Sequence, residues 1–338
     1  SYFVLNMYKI LPDTGMREIG LDAKERRLLF ALDFNARATL SELAKEVGMS
    51  KQGVEYKLKS LIKRGVIRGF YPVINLPKLG YLYCRLLITL QNVTRAKRKE
   101  IIAYLQEHRR VFWLFEMQGM FDLLVAVWVK SITEFREFKQ EVEERFGEHL
   151  KRSVATITTD VIYYQNRYFV GTTQTKEIHV AETMDRISVD DIDRAILRVL
   201  CESARMPLVE IAAEVGVSAK VVAYRIARME KLGLIAGYRP IIDHNLLGYT
   251  YYKLFINLYN ISKEALKALR MFIKSSPVVI YEVEGIGLPG DLDIEVMVKS
   301  NAELFDFINS LRFKFPKLVG DYTPVIFMDT LKVKYLPF

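Results

Sequence analysis

Along residues 22–64 apolar side chains recur every three or four positions: Leu28, Leu29 and Leu32, then Leu40, Leu43, Ala44 and Val47, then Val54, Leu58, Leu61 and Ile62. That period predicts short amphipathic helices, each with one buried stripe. Gly48 stops the middle stretch, Ser50 is a natural N-cap for the next helix, and Gly65 ends it. Two short helices on either side of Gly48-Met49 make a helix-turn-helix pattern. Residues 67–74 are mostly β-like and predict a small wing or a connecting strand. From residue 82 the character changes. Strands are expected at 82–90, 111–117, 123–129 and 154–164, and helices at 96–108 and 133–146. Phe135, Phe138, Val142 and Phe146 share one side of the last helix. The order β-α-β-β-α-β predicts a ferredoxin-like domain, a four-stranded antiparallel sheet backed by two helices.

The whole pattern occurs twice. A shift of 168 positions lays residues 21–81 over 189–249 without a gap. Asp22 falls on Asp190, Ala36-Arg37 on Ala204-Arg205, Glu46-Val47-Gly48 on Glu214-Val215-Gly216, Ser50 on Ser218, Tyr56 on Tyr224 and Gly80-Tyr81 on Gly248-Tyr249. Further on the match is looser: Asp122 and Val129-Lys130-Ser131 recur as Asp291 and Val298-Lys299-Ser300. The expected division is an N-terminal extension 1–20, a helix-turn-helix domain 21–74, a ferredoxin-like domain 75–164 and a linker 165–188. A second helix-turn-helix domain 189–242 and a second ferredoxin-like domain 243–338 follow. The fold class is therefore α+β, a tandem repeat of winged helix-turn-helix plus ferredoxin-like βαββαβ domain.

Composition narrows the function classes. With 338 residues, 51% hydrophobic and 26% charged, the chain has enough apolar matter for two or more cores and is not a disordered segment. Its longest apolar run, 123–129, is far shorter than a membrane span, and no charged-then-apolar segment opens the sequence as given. Two cysteines, Cys84 and Cys201, allow neither a disulfide framework nor a four-thiolate zinc site, so a cytoplasmic location is expected. His108, His149, His179 and His244 lie far apart, and no phosphate loop or nucleophile elbow is present. No metal, cofactor or catalytic residue is expected.

The net charge of +9 matters only through its placement. Residues 21–70 hold eleven basic and six acidic side chains, an excess of five, whereas residues 189–238 hold seven of each. Affinity for DNA grows with the number of phosphates neutralised, so the first copy is the stronger candidate binder.

Leu28-Leu29, Ala36-Arg37, Glu42-Leu43-Ala44, Val47-Gly48-Met49-Ser50, Lys57-Leu58, Gly65-Val66-Ile67 and Gly119-Met120-Phe121-Asp122, with their counterparts in the second copy, resemble the Lrp/AsnC regulators. The usual member has one copy and dimerises; two fused copies imply a pseudo-dimer within one chain, with further homo-oligomers expected. The resemblance implies a transcriptional regulator of double-stranded DNA whose ferredoxin-like (RAM-type) domains assemble it and bind a small effector such as an amino acid. The DNA-binding candidates are Ser50, Lys51, Gln52, Glu55, Lys57, Lys59, Arg37 and Arg68 in the first copy, and Ser218, Lys220, Arg225 and Arg228 in the second. Gln52 suits adenine and Lys51 suits guanine or phosphate, while Tyr56 and Tyr224 are expected to be half-buried. Effector candidates are the turn residues Gly119 and Asp122, with Thr156, Thr158 and, in the second copy, Asp291. An Asp in such a turn is as readily held by backbone N–H groups as by a ligand. Two alternatives stand beside this one: a tetrapyrrole enzyme like the sirohaem decarboxylases of the same superfamily, and a DNA-organising protein without sequence preference.

Overall fold

The computed structural model describes residues 18–338, so most of the expected N-terminal extension lies outside the described residues. The first helix-turn-helix contains α1 (Ala23–Leu32), α2 (Leu40–Val47) and α3 (Lys51–Lys63). Local chemistry sets each start. Asp22 with Glu25 and Thr39 with Glu42 form capping boxes, and the Ser50 hydroxyl accepts the Gly53 N–H. Gly48, at φ +67°, closes α2 in the left-handed conformation that glycine adopts without steric cost.

Next come β1 (Ile67–Ile74), β2 (Leu82–Leu90), α4 (Arg95–Glu107), β3 (Val111–Gln118), β4 (Leu123–Val129), α5 (Ile132–Phe146), β5 (Leu150–Tyr164) and β6 (Glu177–Ala181). The second copy supplies α6 (Asp191–Glu202), α7 (Leu208–Val215), α8 (Ala219–Lys231), β7 (Ile235–Ile242) and β8 (Thr250–Leu258). It ends with α9 (Lys263–Ser275), β9 (Val279–Ile286), β10 (Leu292–Val298), α10 (Asn301–Lys314) and β11 (Val319–Val333).

The strand expected after the first helix-turn-helix, as a wing or a connecting strand, is β1: it pairs antiparallel with β7, Phe70 facing Pro240, in a two-stranded ribbon shared by both copies. The stretch expected as a linker contributes β6, which extends β5 from Asp160 opposite Ala181 to Tyr164 opposite Glu177. Five residues are too few to show a period. Ahead of β6, the fully buried Arg167 donates to the Lys274 and Val279 carbonyls of the second copy.

The two ferredoxin-like sheets are joined edge to edge. The pairs β3–β11 and β5–β9 link the copies, and β2–β5 completes a ring of eight strands, with β6 as an appendage. Helices cover the outside, where Phe138 and Val142 pack on Leu86 and Ile88, and Ile308 and Leu311 on Leu254 and Ile256. Leu87, Phe115, Leu124, Tyr251, Phe255 and Phe327 form a shared aromatic-rich core inside. That interior also holds charge. Arg85 lies 3.1 Å from Asp293, and Lys253 lies 2.6 Å from Asp293 and 2.7 Å from Glu295. Shifted back by 169 positions, the two carboxylates fall on Leu124 and Ala126, so this cluster exists only where unlike halves meet.

Candidate nucleic-acid interface

The two helix-turn-helix units are held as a pair by reciprocal bonds. Arg37 donates to the Ala204 and Met206 carbonyls, and Arg205 donates to those of Ala36 and Ala38. Ala36 N–H meets the Tyr238 carbonyl, and Ala204 N–H meets that of Phe70. One apolar core runs through both units, including Leu29, Leu43 and Leu61 with Leu197, Ile211 and Ile226.

Each recognition helix turns one stripe inward and leaves the other in water. Val54, Leu58 and Leu61 are buried in α3, while Lys51, Gln52, Tyr56, Lys59 and Lys63 are exposed. In α8, Val222, Ile226 and Met229 are buried, and Lys220, Val221, Tyr224, Ala227 and Lys231 are exposed. Ser50 accepts the Gly53 N–H and Ser218 the Val221 N–H, so both recognition helices start at a capped turn of the same design.

Several expected contacts are committed elsewhere. Lys57 bonds Asp22 and its counterpart Arg225 bonds Asp190 and Asp193, in each case tying the recognition helix to the cap of the first helix. Arg228 also reaches Asp193, at 3.2 Å. The Asp22 carboxyl is held below its ordinary pKa by the Lys57 hydrogen bond and by the Glu25 N–H. Arg68 pairs with Asp243 of the other copy and Arg37 spans the two units, so neither presents a free guanidinium to a phosphate. Lys59 stays exposed with Glu55, 2.7 Å away on the same face. Tyr56 and Tyr224, expected to be half-buried, are 75% and 67% exposed. Both lie off the stripe, four positions after Gln52 and Lys220, a spacing already present in the sequence.

The effector candidates are not gathered into one site. The Asp122 carboxylate accepts the Leu90 N–H at 2.7 Å and lies 3.5 Å from Arg98. Asp291 repeats this with Leu258 N–H, so the backbone occupies both carboxylates. Gly119, at φ +133°, packs on the Pro324 carbonyl of the opposite copy. Thr156 and Thr158 are buried further along the sheet, opposite Arg85 and Tyr83, and Thr156 accepts from Arg85.

Comparison with known proteins agrees with this architecture. Residues 21–68 match a winged helix-turn-helix DNA-binding family, and residues 189–230 match the AsnC-type helix-turn-helix domain. The proline dehydrogenase transcriptional activator of Rhodobacter capsulatus is 35% identical over 147 residues, covering 43% of this chain and 95% of that protein. The HTH-type transcriptional regulator FL11 of Pyrococcus abyssi is 28% identical over 120 residues, 36% of this chain and 78% of that protein. Among solved structures, the sirohaem decarboxylase NirDL shares the fold over 92% of both chains, with a TM-score of 0.59 at 14% identity. Near-complete relatives align with less than half of this chain, as two fused units require. The chain belongs to the Lrp/AsnC family of transcriptional regulators and contains its unit twice.

Proposed function

We propose that this protein is a duplex-DNA-binding transcriptional regulator, not an enzyme, in which the first helix-turn-helix is the main DNA contact. One observation carries this: two Ser-capped helices, fixed as a pair, present exposed faces of which only α3 combines Lys51, Gln52, Lys59 and Lys63. Gln52 and Tyr56 then face base edges and sugars, and the lysines face phosphates. In α8 the corresponding face offers Lys220 and Lys231 around Tyr224 and Ala227, so fewer phosphates are neutralised. Because the two faces differ, the operator has unequal half-sites. The ferredoxin-like barrel serves assembly, and an amino-acid effector remains part of the proposal through the family.

The test is a mobility shift on duplexes selected from a random pool, repeated across salt. Lys51→Ala should weaken binding and reduce the salt slope by about one, and Lys220→Ala should do less. Equal affinity of the chain lacking its first helix-turn-helix would overturn the assignment. A Soret band in the purified protein would support the tetrapyrrole alternative instead.

A further inference from the structure

All eight strands of the ring contribute to one end of the barrel, and the β1/β7 ribbon lies across that end. Between ribbon and barrel is a cavity of about 150 Å³. Its walls are mostly apolar and rich in rings: Tyr71, Tyr83, Trp113, Trp128, Tyr281 and Tyr335 all line it. Tyr71 stacks on Tyr335 at 4.8 Å, so a ring from the ribbon and a ring from the tail beyond β11 form one side. A cavity of this volume admits one aromatic ring, the size at which an engineered apolar cavity takes up benzene.

The charges around it set the polarity of the guest. The Arg239 guanidinium is taken up by Asp33, at 2.6 and 3.1 Å. Glu295 gives one oxygen to Lys253 at 2.7 Å and the other to the Tyr251 hydroxyl. His244 meets the Tyr168 hydroxyl at 2.6 Å. Lys334 also lines the cavity and makes no ion pair among the described residues. The balance is one unneutralised cation beside stacked rings.

We propose that this cavity is a binding site for a single-ring aromatic carboxylate, its ring held among the tyrosines and tryptophans and its carboxylate at Lys334. The site is separate from the turn at 119–122. Its upper wall is the ribbon that follows both recognition helices directly, with β1 starting at Ile67 after α3 ends at Lys63. Occupancy therefore bears on how the helix-turn-helix pair sits on the barrel. Binding itself does not depend on DNA recognition, so the two proposals fail separately.

The only two tryptophans, Trp113 and Trp128, both line the cavity, so intrinsic emission of the intact chain reports on it. Titration with benzoate should give a saturable change in emission, with toluene and benzylamine binding more weakly. Lys334→Gln, a substitution at a partly exposed position, should raise the half-saturation concentration about tenfold and remove the preference for benzoate over toluene. Val73→Phe, which fills the ribbon side, should abolish the response. If Val73→Phe does not fold, Lys334→Gln decides alone. No saturable response to benzoate up to about 10 mM would overturn the site. Unchanged affinity in Lys334→Gln, or toluene binding as tightly as benzoate, would overturn the assignment of a carboxylate ligand.

Discussion

At the scale of single residues, a basic side chain on a recognition helix is not automatically a DNA contact. Lys57 and Lys51 sit on the same helix, yet Lys57 holds the Asp22 carboxylate while Lys51 points into solvent. Lys57→Ala should therefore cost stability, about 0.2–1 kcal/mol for a partly exposed pair, and leave the salt slope of DNA binding near its parent value. Chemical denaturation and salt-titrated mobility shifts separate the two effects. The depressed Asp22 pKa gives this pair a sign: its contribution is fully present above the ordinary carboxylate value and is lost as pH falls from there through the lowered folded value. His244 behaves differently. Burial, with a smaller push from the Arg239 cation, holds its pKa down to about 3, so the folded ring stays neutral while the unfolded one protonates below about 6.5. Stability should fall by about 2 kcal/mol from pH 7 to pH 5 through this residue alone. Urea midpoints at the two pH values, compared with those of His244→Gln, measure it; equal pH dependence in both proteins would contradict the assignment.

At the scale of elements, the helix-turn-helix pair is a unit because its backbone groups are satisfied across the copies. Arg37 and Arg205 each hold two carbonyls of the other unit, and the ribbon adds Asn75 N–H to the Leu234 carbonyl and Asp243 N–H to that of Val66. Removing one such arginine leaves partly buried carbonyls without a donor, at about 1–3 kcal/mol. Arg37→Ala should lower the melting temperature and weaken DNA binding without changing the salt slope, because spacing rather than charge at the interface is lost. A slope reduced by about one would return Arg37 to the set of phosphate contacts. The same scale shows why the ribbon and β6 were hard to foresee. A β-rich stretch of eight residues announces a strand but not its partner, and β1 finds its partner 168 positions away.

At the scale of the whole molecule, the buried cluster of Arg85, Lys253, Asp293 and Glu295 makes the two halves complementary rather than interchangeable. A pair of first halves would bury two Arg85 guanidiniums beside Leu124 and Ala126, with no carboxylate from this cluster. A pair of second halves would bury four carboxylates against two lysines. Unpaired buried charge is costly, so separately expressed halves should assemble one to one and not with themselves. Native mass spectrometry of the mixture reads this directly, and abundant homodimers would contradict it. Asp293→Leu, which restores the residue type of the first copy, should destabilise the intact chain by about 3–5 kcal/mol by stranding Arg85.

The amino-acid sequence alone determined the repeat, the two Ser-capped helix-turn-helices and the βαββαβ order. All of these rest on local periods, caps and turns that a chain displays before it folds. It also displayed the excess charge of the first unit. It could not say which of those cations face solvent, because Lys57, Arg37 and Arg68 are claimed by carboxylates and carbonyls brought near only by packing. Nor could it show that two sheets close into one barrel, that the carboxylates of Asp122 and Asp291 are occupied by backbone N–H groups, or that both tryptophans line a cavity beneath the ribbon. These depend on contacts between residues far apart along the chain, and only the tertiary structure sets which distant groups meet.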